Sequence, residues 1–231
     1  MVYFGLFPWA WDKVISLHGS ESPIVQAIFF NLAMSLFNTI SGVAFSAYST
    51  FVIEERHGFN KMTLHTFITD KIKGFIIGAI IFSIVIAGLL YILEIGGEFF
   101  YVYVWAFVSV VIFILIAIYP NVIAPLFNEF KPLDDGKLKD QIEEMAKAQK
   151  FPLGRLFVID GSKRSSHSNA YFYGLWNKQI VLFDTLLNEE IKNEEVLSIL
   201  CHELGHWKYG HMMKNLVIME LQMFAMFYLF G

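Results

Sequence analysis

Residues 99–119 read FFYVYVWAFVSVVIFILIAIY and contain no charged side chain. A bilayer core about 30 Å thick is crossed by about 20 apolar residues in a helix, so this stretch predicts a membrane span. Residues 74–93 predict a second span for the same reason, and residues 24–53 predict another. This last segment contains Gln26, Asn31 and Asn38, which must face other helices or an aqueous cavity if they lie in the bilayer.

The composition of the whole chain fits a membrane protein with a soluble part. Its 231 residues are 56% hydrophobic, above the roughly 45–50% apolar share of soluble domains. The net charge is −4, and the absence of a basic surface argues against a nucleic-acid partner. Cys201 is the one cysteine and cannot form an intrachain disulfide, which is consistent with a reducing compartment.

The distribution of charge predicts an orientation in the membrane. Residues 1–23 are aromatic, lack the features of a signal peptide and are interpreted as an interfacial segment. The 54–73 loop carries four Lys and Arg residues, the 94–98 loop none and residues 129–231 twelve. The positive-inside rule therefore places the 54–73 loop and the soluble part in the cytosol.

The soluble part is predicted to be a small α+β unit. Apolar spacing indicates a helix at 134–150, a strand at 156–159 and a hairpin of strands at 170–173 and 180–183. A helix capped by Asn193 is expected to run to about Tyr209, with Gly210 turning the chain into an apolar run at 216–230. Its expected buried face consists of Val196, Leu197, Ile199, Leu200 and Leu204.

The predicted helix that begins near Asn193 contains an H-E-x-x-H sequence, His202-Glu203-Leu204-Gly205-His206. Residues four apart are neighbours on a helix, so His202 and His206 can bind one Zn²⁺, while Glu203 is turned aside and can act as a general base. A carboxylate beside zinc-activated water is the machinery of peptide-bond hydrolysis. The alternative is that two solvated histidines share a helix face without a metal.

A hydrolytic zinc site normally has a third protein ligand, and the candidates within the chain are poor. On an unbroken helix Glu220 lies about 21 Å along the axis from His206, out of reach. On the same assumption His211 lies about 140° round from His206. We expect both His211 and His167 to be surface or hydrogen-bonding histidines rather than ligands, and Cys201 to be a packed small hydrophobe.

Four blocks of the sequence together resemble the Ste24-type CaaX prenyl proteases, integral-membrane zinc metallopeptidases of the M48 family. They are YSTFVIEERHGFNKMT (48–63), APLFN with PL (124–128, 132–133), HSNAYFYG (167–174), and NEEV with HELGHWK and GH (193–196, 202–208, 210–211). H-E-x-x-H alone would indicate only a zincin, whereas the first three blocks separate this family from other membrane zincins.

The resemblance implies a mostly α-helical, polytopic membrane protein with a cytosol-facing α+β zincin-like domain containing a short β-hairpin and the HExxH helix. It implies one Zn²⁺ per chain held by His202 and His206, with Glu203 as general base. The segment Ser168, Asn169, Ala170 and Tyr171 resembles an edge strand that holds the substrate backbone, although Asn169 could instead cap a turn.

The same resemblance implies substrates and location, while the domain limits come from the apolar and charged stretches. The substrates would be prenylated CaaX proteins that lose their last three residues, in the membrane of the endoplasmic reticulum or inner nuclear membrane. The predicted divisions are an interfacial segment (1–23), a membrane region (24–126), a zinc metallopeptidase domain (127–211) and the start of a truncated further transmembrane helix (212–231).

The sequence departs from the family pattern at both ends. The family has seven transmembrane helices and a third zinc ligand, a Glu, on a later helix, so we expect that ligand beyond Gly231 and a leading helix before Met1. Two alternatives remain open: a general membrane quality-control zinc protease resembling HtpX and Oma1, and a catalytically inactive truncated membrane scaffold.

Overall fold

The computed structural model describes residues 5–174, 178–188 and 190–231. These form two compact units. The first, here called the helical unit, comprises Met1–Val52, Leu64–Ile112 and Leu221–Gly231. The second, here called the sheet unit, comprises Ile53–Thr63 and Phe113–Glu220.

Long apolar helices make up most of the helical unit. They are α1 (Leu6–His18), α2 (Pro23–Tyr48, continued by a π-helical turn at Ser49–Glu54), α3 (Leu64–Ile95), α4 (Phe100–Ile118) and α7 (His211–Phe230). Within the described residues, four helical segments are long and apolar enough to cross a membrane: Pro23–Glu54, Leu64–Ile95, Gly97–Leu126 and His211–Phe230.

The helix boundaries follow from local sequence. Pro23 opens α2 in its first turn, where its missing N–H is not needed. Helix α3 begins at Leu64, ten residues before the uncharged stretch, so Asp70, Lys71 and Lys73 lie in its first turns. A helix can carry charges outside the lipid, and hydropathy alone therefore underestimated its length.

Aromatic side chains join the helices inside the helical unit. Phe51 and Phe67 meet edge to face, with ring centroids 5.3 Å apart. Tyr101 of α4 packs against Phe224 and Tyr228 of α7, with centroids 6.4 and 5.5 Å away. These contacts connect helices far apart in sequence.

A four-stranded mixed sheet with the order β1-β2-β4-β3 organises the sheet unit. The strands are β1 (Phe130–Pro132), β2 (Leu153–Ile159), β3 (Ala170–Tyr173) and β4 (Lys178–Phe183). β4 runs parallel to β2 and antiparallel to β3, with Ala170 opposite Leu182. β1 was not predicted, because a three-residue strand ending in Pro132 has no detectable alternation; Pro is tolerated there because β1 is an outer strand. The predicted loop at 174–178 lies partly outside the described residues.

Helices α5 (Lys137–Ala148) and α6 (Asn193–Lys208) pack with the sheet around one core. Ile142 of α5, Ile180 and Leu182 of β4 and Leu200 of α6 are all fully buried. The fold class predicted from the sequence, apolar helices with an α+β unit containing a hairpin and the HExxH helix, is confirmed.

Two predicted details of α6 are wrong. Asn193 is the first helical residue and not the cap, because the N–H of Lys192 is satisfied by the Glu195 carboxylate at 2.9 Å. Ile199 is exposed, because the buried face narrows to the stripe of Val196, Leu200 and Leu204.

Candidate metal centre

Helix α6 is held in a fixed rotation by its buried stripe. Leu200 and Leu204 lie in the core of the sheet unit, and Trp207 packs against that core with its ring 5.0 Å from that of Phe151. His202 and His206 lie off this stripe and are exposed. Glu203, which follows His202 in the sequence, is half-buried. The packing of the helix therefore presents both imidazoles away from the core.

The two histidines of the motif converge through the same ring atom. Nε2 of His206 lies 3.1 Å from Nε2 of His202. Two nitrogens bound to one tetrahedral zinc at about 2.0–2.1 Å are about 3.3 Å apart, so the observed separation fits a shared metal ion. Neutral imidazoles are among the donors that zinc prefers.

No third ligand joins this pair in the part of the chain that the structure describes. Among residues 5–174, 178–188 and 190–231, no cluster of three or more His, Cys, Asp or Glu side chains is arranged to hold a metal. Glu220 lies on α7, a separate helix that begins at His211. Cys201 is exposed rather than packed as expected, and its Sγ lies 3.2 Å from Sδ of Met145.

His211 is the residue that sequence reasoning misplaced. The estimate of 140° assumed a continuous helix, but α6 ends at Lys208 and Gly210 adopts a left-handed conformation with φ 63°. The turn brings Nδ1 of His211 to 2.8 Å from Nδ1 of His206. The sequence feature that could have indicated this contact is Gly210. It predicts a turn after the helix, and the projection of His211 on a continuous helix did not include that turn.

His167 has partners of its own in the sheet unit. Its Nε2 lies 3.1 Å from Oε2 of Glu54, and its ring stacks on Phe59 with centroids 4.2 Å apart. A bridge between Asn60 and Ser165 pairs the same two segments. The expectation that His167 is a hydrogen-bonding residue agrees with these contacts.

The 168–171 segment leads into β3, an outer strand of the sheet within the described residues. Ser168 and Asn169 are exposed, and Oδ1 of Asn169 accepts a hydrogen bond from the N–H of Ala170 at 2.8 Å. The N–H of Phe183 donates to the carbonyl of Asn169 at 3.0 Å, which sets the alternation of the ladder. The backbone groups of Phe172 and the carbonyl of Ala170 consequently point to the open edge.

Strand β3 also lies beside the helix that carries the motif. Ala170 shares one core cluster with Leu200, which precedes the two histidines on α6, and with Leu204, which lies between them in sequence. Tyr171 faces the other side of the strand, and burial raises the pKa of its hydroxyl to about 12. Its hydroxyl is therefore neutral at physiological pH.

Apolar helices of membrane-spanning length, joined in one chain to a small mixed sheet carrying an HExxH helix, define the class of multi-pass membrane metallopeptidases. The chain belongs to the M48 peptidase family. Residues 1–129 match the family model described as CAAX prenyl protease N-terminal, five membrane helices, and residues 132–231 match the model of peptidase family M48.

Individual relatives agree with these family matches. The chain is 45% identical to CAAX prenyl protease 1 homolog of Mus musculus and 44% identical to that of Homo sapiens, in each case over 100% of this chain and 58% of the relative. The crystal structure of S. mikatae Ste24p superposes with a TM-score of 0.94 at 41% identity, covering 99% of this chain and 55% of that one. The chain thus spans about half the length of the curated relatives it matches. The family resemblance found in the sequence is confirmed.

Proposed function

We propose that this chain is part of a membrane zinc metalloendopeptidase that removes the C-terminal tripeptide from prenylated CaaX proteins. The observation that carries the proposal is the convergence of His202 and His206 at 3.1 Å on a helix packed beside an open-edged strand. The M48 match and relatives named CAAX prenyl protease 1 support the reaction and the substrate class.

Each residue of the motif has a distinct task. His202 and His206 bind the metal through Nε2. A zinc ion held there would supply an acidified water, with a pKa near about 7, as the nucleophile. Glu203 accepts the proton of the attacking water and returns it to the leaving amine, so one carboxylate serves both halves of the hydrolysis.

The substrate is proposed to bind as an added strand. The carbonyl of Ala170 and the backbone groups of Phe172 point to the open edge of β3, where an extended peptide can form main-chain hydrogen bonds. Because β3 shares a core cluster with α6, a peptide paired there would pass near the two histidines. Ser168 and Asn169, exposed just before the strand, would contact the same peptide.

The third metal ligand is part of the proposal. We propose that a carboxylate outside the described residues is the third ligand, because those residues bring no third ligand to His202 and His206. With it, the complete protein would hold one Zn²⁺ per chain.

The proposed location is a membrane with the sheet unit facing the cytosol, and charge and contacts within that unit support it. The N–H of Lys61 donates to the carbonyl of Arg164, and the N–H of Ser166 donates to that of Phe59. These bonds keep the 54–63 segment, which begins the loop that carries four Lys and Arg residues, with the rest of the sheet unit, which supports a location of both on one side of the bilayer. The positive-inside rule supports the cytosol as that side, and the proposed substrates support the endoplasmic reticulum membrane as the location.

The test compares one CaaX peptide with and without a farnesyl group, using the full-length protein purified in detergent. We expect release of the tripeptide from the farnesylated peptide, loss of cleavage when zinc is chelated, and recovery when zinc is restored. Glu203→Gln should lower kcat by about 10²–10⁴-fold without loss of bound zinc. The matched control is Glu194→Gln, which changes an exposed carboxylate in the first turn of the same helix.

Other outcomes would select the alternatives. Equal cleavage of both peptides would replace the CaaX assignment with a general quality-control protease. Less than one zinc per chain together with no cleavage would indicate an inactive membrane scaffold. Unchanged cleavage by Glu203→Gln would remove Glu203 as the base.

A further inference from the structure

Each ring nitrogen of His206 contacts a nitrogen of a different histidine. Its Nε2 faces Nε2 of His202 at 3.1 Å, and its Nδ1 faces Nδ1 of His211 at 2.8 Å. The rings of His206 and His211 are nearly perpendicular, with centroids 5.0 Å apart. His211 therefore contacts the nitrogen that a metal would leave free.

This geometry determines where the protons lie once a metal is bound. A histidine that binds a metal through Nε2 is neutral and carries its proton on Nδ1. The Nδ1–H of His206 then donates to Nδ1 of His211, which must be the acceptor and must carry its own proton on Nε2. One hydrogen bond thus fixes both the tautomer and the ring orientation of His206.

The local backbone holds His211 in this place. Gly210 adopts φ 63°, a conformation that L side chains rarely adopt, and its N–H donates to the carbonyl of Trp207 at 2.9 Å. On the other side, the ring of Tyr209 stacks with that of His211, at 5.9 Å between centroids and 19° between planes. The acceptor is therefore presented by a defined turn and a stacked ring.

From these contacts we infer that His211 is a positioning residue of the metal centre, which accepts the Nδ1–H of His206 and thereby aims Nε2 of His206 at the metal. It acts through His206 and is not itself a ligand. The inference rests on the proposed metal centre and extends it by one residue. Partners of this kind typically change metal affinity by about 10–100-fold.

The test measures zinc affinity directly, by competition with a chelator in the purified full-length protein. His211→Phe keeps a ring to stack on Tyr209 and removes the acceptor, whereas His211→Asn removes the ring and keeps an acceptor oxygen near the position of Nδ1. We expect zinc to bind about 10–100-fold more weakly to His211→Phe, and His211→Asn to recover most of that loss. His65→Phe, an exposed histidine of α3, is the control and should bind zinc as the wild type does.

The melting temperature of the zinc-free protein separates positioning from folding. Equal melting temperatures of wild type and His211→Phe, together with recovery in His211→Asn, support the inference. Unchanged zinc affinity in His211→Phe would overturn it while leaving the metal centre intact. Equal weakening by both variants would also overturn it, since an acceptor at this position would then not be enough to restore zinc affinity. If the wild type bound no zinc, or if His202→Ala did not abolish binding, the metal centre itself would be wrong.

Discussion

The sheet unit and the helical unit differ in the exposure of their apolar side chains. In the sheet unit, Ile142, Ile180, Leu182 and Leu200 are 0% exposed and form one core. On α3 of the helical unit, isoleucines such as Ile84 are 64% exposed. Apolar side chains therefore stabilise the sheet unit because they are buried within the protein. In the helical unit they form the surface that lipid must cover.

The largest expected effect is the loss of a core side chain in the sheet unit. Leu200→Ala removes a fully buried side chain at the centre of α6 and should lower the free energy of unfolding by about 2–5 kcal/mol. The measurement is hydrogen exchange of the β4 amides in the purified protein. Ile199→Ala, at the neighbouring exposed position, is the matched control and should cost less than about 1 kcal/mol. Equal effects at the two positions would mean that α6 does not use the stripe described above.

The second prediction tests whether lipid surrounds the exposed isoleucines of α3. Ile84→Lys places a charge at the middle of α3 and should disfavour membrane insertion of that segment by about 2.5–3.5 kcal/mol. Ile199→Lys, at an exposed position of the sheet unit, should change stability by no more than about 0.5 kcal/mol. The fraction of α3 inserted into microsomes, followed by a glycosylation reporter, gives the first value. Normal insertion of Ile84→Lys would show that this face of α3 does not meet lipid.

How far the sequence predicts the molecule differs between these units. Apolar length located the membrane helices, but the charged start of α3 was missed because a helix can continue outside the lipid. In the sheet unit, β3 was predicted with its observed limits because its residues are aromatic and bounded by turn residues. β1 was missed because its pairing is set by β2 and not by its own three residues.

The candidate site shows the same limit at a finer scale. His202, Glu203 and His206 are found by spacing alone, since a helix fixes residues four apart. The place of His211 depends on one backbone angle at Gly210, and a helical projection cannot represent a left-handed residue. Local periodicity thus predicts which residues are neighbours within one helix or strand, while contacts made across a turn depend on the backbone angles of that turn.

The smallest expected effect concerns Asp160, a charged residue whose contacts join loops of the sheet unit. Oδ1 of Asp160 accepts the N–H of Glu129 at 2.7 Å, and Oδ2 lies 2.6 Å from Nζ of Lys163. Burial alone would raise the pKa of Asp160, but the hydrogen bonds from Lys163 and from the backbone outweigh it and lower the pKa below its usual value. Because the folded pKa lies below the unfolded one, the stabilisation is present above the unfolded value near pH 4. It is lost as the pH falls through the folded pKa.

Asp160→Asn should therefore lower the free energy of unfolding by about 0.5–1.5 kcal/mol at pH 7, and the difference from wild type should shrink as the pH falls below about 4. Hydrogen exchange of β2 across this pH range measures both parts. The control is Asp135→Asn, because Asp135 makes the same 2.6 Å pair with Lys139 but its side chain is 94% exposed, so solvent screens the interaction. An effect of Asp160→Asn that grew toward low pH would reverse the sign argued here, and an equal effect of Asp135→Asn would mean that partial burial adds nothing to the pair.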